Sequence, residues 1–222
     1  MLKKHTQSGR SIVEVMGYMV VAMCLIAGVS KIIAGAYRDY KMSQANMQIS
    51  DLAGTIVRAS LADSNYSEVV NIINGNYAAD TTISAIQAKE RLRFIPKSYR
   101  VVGSKIFNVF GGDVQVSIPD NDVNSGVRGD QFAIHFYGLD REQCIALMSK
   151  EWADNRTVDL YAIILNASGS NATYWFWPVY HPSDEYNEKP LPVKMVDIAG
   201  TGDVDSEGLC IDGNNDIMWV FN

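Results

Sequence analysis

The sequence has little of what catalytic and metal sites are usually built from. It contains three histidines and three cysteines in 222 residues, with no Cys-x-x-Cys pair and no Cys/His spacing of a zinc site. A Gly-x-Ser-x-Gly element, a P-loop and a dinucleotide fingerprint are also missing. His135 alternates with Ile134 and Phe136, as in a strand, and His181 precedes Pro182. We therefore expect no enzymatic activity and no cofactor.

Positive charge is also scarce. The 25 Asp and Glu residues outnumber the 19 Lys and Arg residues, which gives a formal net charge of -6. Because no cluster of basic residues follows the N-terminus, we do not predict nucleic-acid binding. A chain of this length can form one substantial domain and an anchor, but not two comfortable globular domains.

The few cysteines divide into a pair and a single residue. Cys24 lies inside an apolar stretch, where we expect a small buried side chain. Cys144 and Cys210 lie in the more polar remainder, and in an oxidising compartment they predict a disulfide. In the chain-entropy model, closing a loop of this length contributes on the order of 4 kcal/mol.

A long segment without charge or proline lies near the N-terminus. No side chain from Val15 to Ser30 is charged, and apolar flanks extend this segment to roughly 25 residues, enough for a helix to span a bilayer. Lys3 and Lys4 precede it, which predicts a cytoplasmic N-terminus and an exported C-terminus.

The helix is predicted to continue beyond the apolar segment. No proline interrupts Ser11 to Ser60, so we predict one helix of about 50 residues whose second half is amphipathic and packs by one face on the ectodomain. The predicted apolar positions are Tyr37, Tyr40, Ala45, Met47, Leu52, Ile56 and Val57. The predicted polar positions are Arg38, Asp39, Lys41, Gln44, Gln48, Asp51 and Arg58.

One acid stands at the start of the apolar segment. Glu14 ends the run Gly9-Arg10-Ser11-Ile12-Val13-Glu14, and an unpaired charge at the edge of a membrane-length helix is costly. The run resembles the prepilin signal of type IV pilins and pseudopilins, in which a basic leader ends in Gly and the fifth mature residue is Glu. Arg10 departs from the apolar first residue that is usual in that family.

The resemblance implies how the chain is processed and assembled. It implies cleavage after Gly9 and N-methylation at Arg10 by a prepilin peptidase, which changes the net charge from -6 to -8 because two lysines and no acid are lost. Glu14 would then pair with the N-terminal amine of a neighbouring subunit, which lowers the cost of burying both charges.

The rest of the chain alternates short strand and helix patterns. Strands are predicted at 99–102, 106–110 and 114–118, as a meander, and at 131–136, 161–165, 174–177 and 218–221. Short helices are predicted at 69–73 and 83–91, and a helix capped by Asp140 at 139–152. The segment from Phe132 to Leu147 resembles the strand-to-helix element of type IVb pilins of the conjugative-plasmid kind. Gly208-Leu209-Cys210 and the following residues 215–217 resemble the family's second cysteine and terminal edge strand.

The implied architecture is an α+β pilin fold, in which a long N-terminal helix packs on an antiparallel sheet with a disulfide-bounded C-terminal region. Its parts are a leader (1–9), a transmembrane and filament-core half-helix (10–36), an amphipathic half-helix (37–62) and a globular ectodomain (63–222). The implied function is a major pilin that polymerises with itself after a precursor stage in the inner membrane, with help from the pilus assembly machinery. Two alternatives stay open: a minor pilin or periplasmic secretion pseudopilin, and a signal-anchored periplasmic adhesion or binding domain that never polymerises.

Two further features have more than one interpretation. The aromatic run 174–180 is either an alternating buried strand or an exposed interface. The acidic loops near the end alternate oxygen side chains, as Ca²⁺ sites do, but they lack EF-hand spacing and also fit ordinary turns. The weak Ca²⁺ candidates are Asp203, Asp205, Asp212 and Asp216.

Overall fold

The internal contacts of the molecule divide it into two units, residues 1–41 and 42–222. The computed structural model describes residues 12–61, 66–75, 92–119, 131–150, 152, 159–167, 173–177, 188–190 and 209–222.

The described part of the first unit is helical and apolar. Helix α1 extends over Ile12–Ser60, so the prediction of one long helix is confirmed. It contains an 18-residue window with a mean hydropathy of 2.2, none of which is buried, and it is long and apolar enough to cross a membrane. Cys24 is exposed, so the expected burial of this thiol is wrong for the single chain. Tyr37 and Tyr40 are exposed as well.

In the second unit, α1 buries one face in the hydrophobic core. The buried residues recur at helical spacing and include Ala45, Ile49, Leu52, Ala53 and Ile56.

Besides Tyr37 and Tyr40, two adjacent residues of this amphipathic half were assigned to the wrong face. Met47 is 52% exposed, whereas Gln48 is 1% exposed. Gln48 follows Ala45 by three residues, so it lies on the buried face. Its burial is tolerated because its amide is hydrogen-bonded at both ends: Nε2 donates to the Ser98 carbonyl at 2.6 Å, and Oε1 accepts from the Val109 amide at 3.0 Å.

Eight strands of the described residues form one sheet in the order β1-β2-β3-β4-β8-β5-β6-β7. All neighbours pair antiparallel except β6 and β7, which pair parallel. The predicted meander corresponds to β1, β2 and β3, with Gly103 at a φ of 59° in the first turn. The strands are β1 Arg100–Val102, β2 Lys105–Phe107, β3 Asp113–Ser117, β4 Phe132–Leu139, β5 Leu160–Ala167, β6 Thr173–Trp177, β7 Glu188–Pro190 and β8 Asn215–Phe221.

The position of β8 corrects the sequence interpretation. It was expected to be a terminal edge strand, but it lies between β4 and β5 in the middle of the sheet. Ile217, Trp219 and Phe221 belong to the main core, whereas Val220 belongs to a small cluster on the other face of the sheet. A strand that is apolar on both faces suits a central position better than an edge.

Helix α2, Tyr66–Asn74, confirms the short helix predicted at 69–73. The helix is followed by Gly75, whose φ of 76° is a left-handed conformation that favours glycine. The side-chain Nδ2 of Asn74 donates a hydrogen bond to the Val116 carbonyl, and its Oδ1 accepts one from the Val116 backbone N–H. The side chain thus pairs with the β3 backbone as a neighbouring strand would. The second helix, predicted at 83–91, lies outside the described residues.

Helix α3, Arg141–Met148, begins with the predicted Asp140 cap. Asp140 accepts a hydrogen bond from the Gln143 amide at 2.7 Å, and the Gln143 side chain accepts one from the Asp140 amide at 3.1 Å, which completes a capping box. The helix ends earlier than predicted: Ser149 is its C-cap, and the Trp152 indole beyond it donates to the Leu147 carbonyl at 2.8 Å.

The disulfide predicted between Cys144 and Cys210 is present, with 5.9 Å between the two Cα atoms. Both cysteines are buried in the main core, so the bond joins α3 to the segment that leads into β8. Together with the long N-terminal helix and the antiparallel sheet, it confirms the α+β pilin-like layout.

Candidate assembly surface

Between Ile12 and Ile33, helix α1 carries an extended exposed apolar surface. Large apolar side chains are usually buried in folded chains, and large exposed apolar patches mark contacts with lipid or other proteins. The exposed side chains here are Ile12, Val13, Val15, Met16, Tyr18, Met19, Val20, Val21, Met23, Leu25, Ile26, Val29, Ile32 and Ile33.

Glu14 is the one acid in the first turn of this helix, where the positive end of the helix dipole favours it. Its Oε1 accepts a hydrogen bond from the Tyr18 hydroxyl, one turn further along, at 3.3 Å. A neutral hydroxyl does not cancel the charge, and no residue of the described ranges forms an ion pair with Glu14. Gly9 and Arg10, the predicted processing residues, lie outside those ranges.

Two of the predicted Ca²⁺ candidates, Asp212 and Asp216, lie in the described residues. Asp212 contacts Arg141 at 3.5 Å, and Asp216 accepts a hydrogen bond from the Gly138 amide at 3.0 Å. Asp203 and Asp205 lie outside the described residues. Within the described ranges, no group of three or more His, Cys, Asp or Glu side chains could hold a metal ion.

The side chain of Asn215 organises the segment between Cys210 and β8, and the sequence analysis did not identify this role. It is fully buried. Its side chain accepts a hydrogen bond from the Ile211 amide at 3.0 Å and donates to the Leu139 carbonyl at 3.1 Å. The segment after Cys210 is therefore held by an amide side chain, which needs no cation.

His135 lies on β4, as predicted, and is half-buried. Its Nε2 lies 2.7 Å from the Ser117 hydroxyl oxygen, and the Tyr137 hydroxyl lies 3.5 Å from its Nδ1. Burial lowers the pKa of the imidazole from 6.5 to about 4. Sequence reasoning did not pair it with Ser117, because a cross-strand partner depends on the register of β3 and β4.

The aromatic run is described only in part. Phe176 of β6 is fully buried, as the buried-strand interpretation requires for that face. The side chains of Tyr174, Trp175 and Trp177, and all of residues 178–180, lie outside the described residues.

Part of the ectodomain matches a known protein family. Residues 64–163 match the PilS N-terminal family model. This is a pilin-like family of conjugative-plasmid type IV pili. The PilS match includes α2, β1 to β4 and α3 with Cys144, and it ends within β5. The comparison with curated proteins found no match.

The PilS match and the apolar helix are two independent indications of a pilin-like protein, because they come from different parts of the chain. The match lies in the ectodomain, whereas the exposed apolar surface lies on α1, outside the matched residues. The chain is therefore similar to pilin-like proteins of type IV pilus systems, and its apolar helix fits membrane anchoring.

Proposed function

We propose that the chain is the major structural subunit of a type IV pilus, with a structural rather than an enzymatic role. The observation that carries the proposal is the apolar surface of α1, which is exposed over a length that would span a bilayer. Lipid covers such a surface in a precursor, and the same surface of other copies covers it in a filament core. One helix thus serves first as an anchor and then as the polymerisation element.

Processing would precede assembly. A prepilin peptidase would cleave the inner-membrane precursor after Gly9 and methylate the new amine of Arg10. The precursor would lie with its N-terminus in the cytoplasm, because Lys3 and Lys4 precede the apolar segment. The assembly machinery of the inner membrane would then move the subunit into an extracellular filament.

Glu14 would guide this assembly. Among the described residues of the single chain, its hydrogen-bond partner is the Tyr18 hydroxyl, whereas a filament core would remove water from its carboxylate. A buried carboxylate needs an opposite charge, and the N-terminal amine of a neighbouring copy would supply one. This pairing would set the axial register between subunits.

The proposal is tested by the mass of the mature chain and by the fraction of the chain that shears from cells as polymer. The expected mature N-terminus is a methylated Arg10. Glu14→Gln should leave cleavage intact and remove most of the sheared polymer. Glu68→Gln is the matched control, since Glu68 is also an acid in the first turn of a helix, and it should shear like the wild type.

Two outcomes would contradict the proposal. A mature chain that still begins at Met1 would favour a signal anchor that does not polymerise. Abundant filaments from Glu14→Gln would show that the carboxylate is not needed for assembly.

A further inference from the structure

Two arginines of the second unit share a cleft. The cleft has a volume of about 390 Å³ and lies between the last turns of α1 and the segment that contains residues 93 and 94. The described residues that line it are Thr55, Arg58, Ala59, Arg93 and Phe94, none of which is an acid.

The guanidinium of Arg58 is held in place by its own helix. It donates a hydrogen bond to the Thr55 hydroxyl at 3.3 Å, and that hydroxyl donates to the Asp51 carbonyl at 2.7 Å. The guanidinium also lies against Gly54, where an added Cβ would be 3.8 Å from the nearest Arg58 nitrogen. Ordering this side chain in advance lowers the entropy that a ligand would otherwise lose on binding it.

Arg93 completes the charged lining of the cleft. Among the described residues, it makes no ion pair or hydrogen bond, and Arg58 has no acidic partner. Two guanidinium groups around one cleft repel each other, and an anion between them turns this repulsion into attraction. Each can also bind a carboxylate with two parallel N–H donors.

We propose that this cleft binds an acidic side chain from a second copy of the chain. The inference rests on the proposed function, because a polymer holds copies next to one another at high effective concentration. Charge complementarity favours this occupant: the chain has six more acidic than basic residues, so every neighbouring copy offers unbalanced carboxylates. Arg58 and Arg93 are both exposed, with the half-buried Ala59 and Phe94 between them and the core, so a carboxylate of another copy can reach both guanidinium groups.

A photo-crosslinking amino acid in place of Leu92 tests the proposal in cells that make the full chain. Leu92 is 63% exposed, adjoins Arg93 in sequence and is not part of the lining. The expected product has twice the mass of the chain, and its crosslinked peptide contains Asp or Glu. The double variant Arg58→Gln/Arg93→Gln should reduce the yield at least about fivefold, and high salt should reduce it too.

The matched control is Lys97→Gln, an exposed cation that follows Arg93 closely in sequence but lies outside the lining. It should leave the yield unchanged. Crosslinks only to lipid or to another protein would overturn the proposal, and so would a yield that the double variant does not change. If Arg58 only stabilises the end of α1, Arg58→Gln will lower thermal stability and leave the crosslink intact. That result would also contradict the proposed role of the cleft.

The same cells separate this inference from the proposed function. If the chain begins at Arg10 and shears as a polymer but gives no crosslink, only the arginine cleft is refuted. If the chain is neither cleaved nor polymerised, the proposed function fails and the cleft proposal fails with it.

Discussion

The Ser117 hydroxyl oxygen and His135 Nε2 lie 2.7 Å apart on the neighbouring strands β3 and β4. His135 is paired in register with Gln115 on β3 and with Met218 on β8. The Tyr137 ring stacks on the imidazole, with 5.8 Å between the ring centroids. None of these groups carries a positive or negative charge at neutral pH. The environment therefore favours the neutral imidazole, which agrees with a pKa of about 4.

This contact predicts a loss of stability in acid. Between pH 6.5 and pH 4 the unfolded chain binds a proton at His135 that the folded chain does not bind. The free energy of unfolding should therefore fall as the pH is lowered through this window, by at most about 3 kcal/mol, with no further gain above it. His135→Gln keeps a hydrogen-bonding partner for Ser117 and should remove this part of the loss. The measurement is denaturant unfolding of the full chain in detergent, followed by near-UV circular dichroism at pH 7 and pH 4. Equal losses in wild type and variant would refute the prediction.

Gln48 should be a major stability determinant although it is polar. Gln48→Ala would leave the Val109 amide and the Ser98 carbonyl buried without their partner, at an expected cost of about 2–4 kcal/mol. Met47→Ala is the control on the adjacent residue and should cost less than about 0.5 kcal/mol, because Met47 is exposed. Thermal unfolding in detergent measures both variants, and similar melting temperatures for the two would contradict the assigned role of Gln48.

Gly112 should not tolerate a side chain. An added Cβ would overlap the Tyr137 carbonyl oxygen of β4 and lie 3.1 Å from the Asn108 side-chain nitrogen. Gly112→Ala should therefore displace the turn before β3 and cost at least about 2 kcal/mol. At Gly103 an added Cβ would meet no atom, and the strain comes only from the φ of 59°. Gly103→Ala should therefore lower the free energy of unfolding by about 1 kcal/mol. Unfolding midpoints in denaturant should rank the two variants in this order; the reverse order would contradict the overlap.

The Cys144–Cys210 bond should stabilise the fold by constraining the unfolded chain. The two residues are 66 positions apart, for which the chain-entropy model gives about 4 kcal/mol. We expect Cys144→Ser/Cys210→Ser to lose most of its cooperative unfolding transition. Cys24→Ser should behave like wild type, because this thiol is exposed and unpaired with the other two. A double variant that is as stable as wild type would show that hydrophobic burial alone holds the region before β8.

Local patterns were enough to predict much of the fold. The absence of proline and the run of apolar residues predicted α1, and the turn glycines with alternating residues predicted the β1–β3 meander. Asp140 was identified as a cap because capping depends on residues within one turn. The disulfide followed from the separation of two cysteines from a third in an apolar segment.

Features that depend on distant pairing could not be predicted in the same way. Gln48 was assigned to the polar face because its side chain is polar, and its burial could not be foreseen because its two hydrogen-bond partners are 50 and 61 residues away. Strand β8 was expected at an edge from the resemblance to type IV pilins, and local patterns could not correct this because its neighbours β4 and β5 are distant in sequence. The long apolar helix that carries the candidate assembly surface could be predicted, since its apolar character is continuous along the chain. The arginine cleft was not predicted, because α1 and the segment around Arg93 meet only in the folded unit.

The central place of β8 has a consequence for the order of folding. Seven strands precede it in sequence, and until residues 215–221 arrive the β1–β4 group and the β5–β7 group have no strand to join them. Until β8 is inserted, β4 and β5 would each present open backbone donors and acceptors to any nearby extended chain. Folding of this protein therefore calls for rapid insertion of β8 or for a chaperone that holds the open strands until then, and an excess of a peptide with the β8 sequence would compete for that last step.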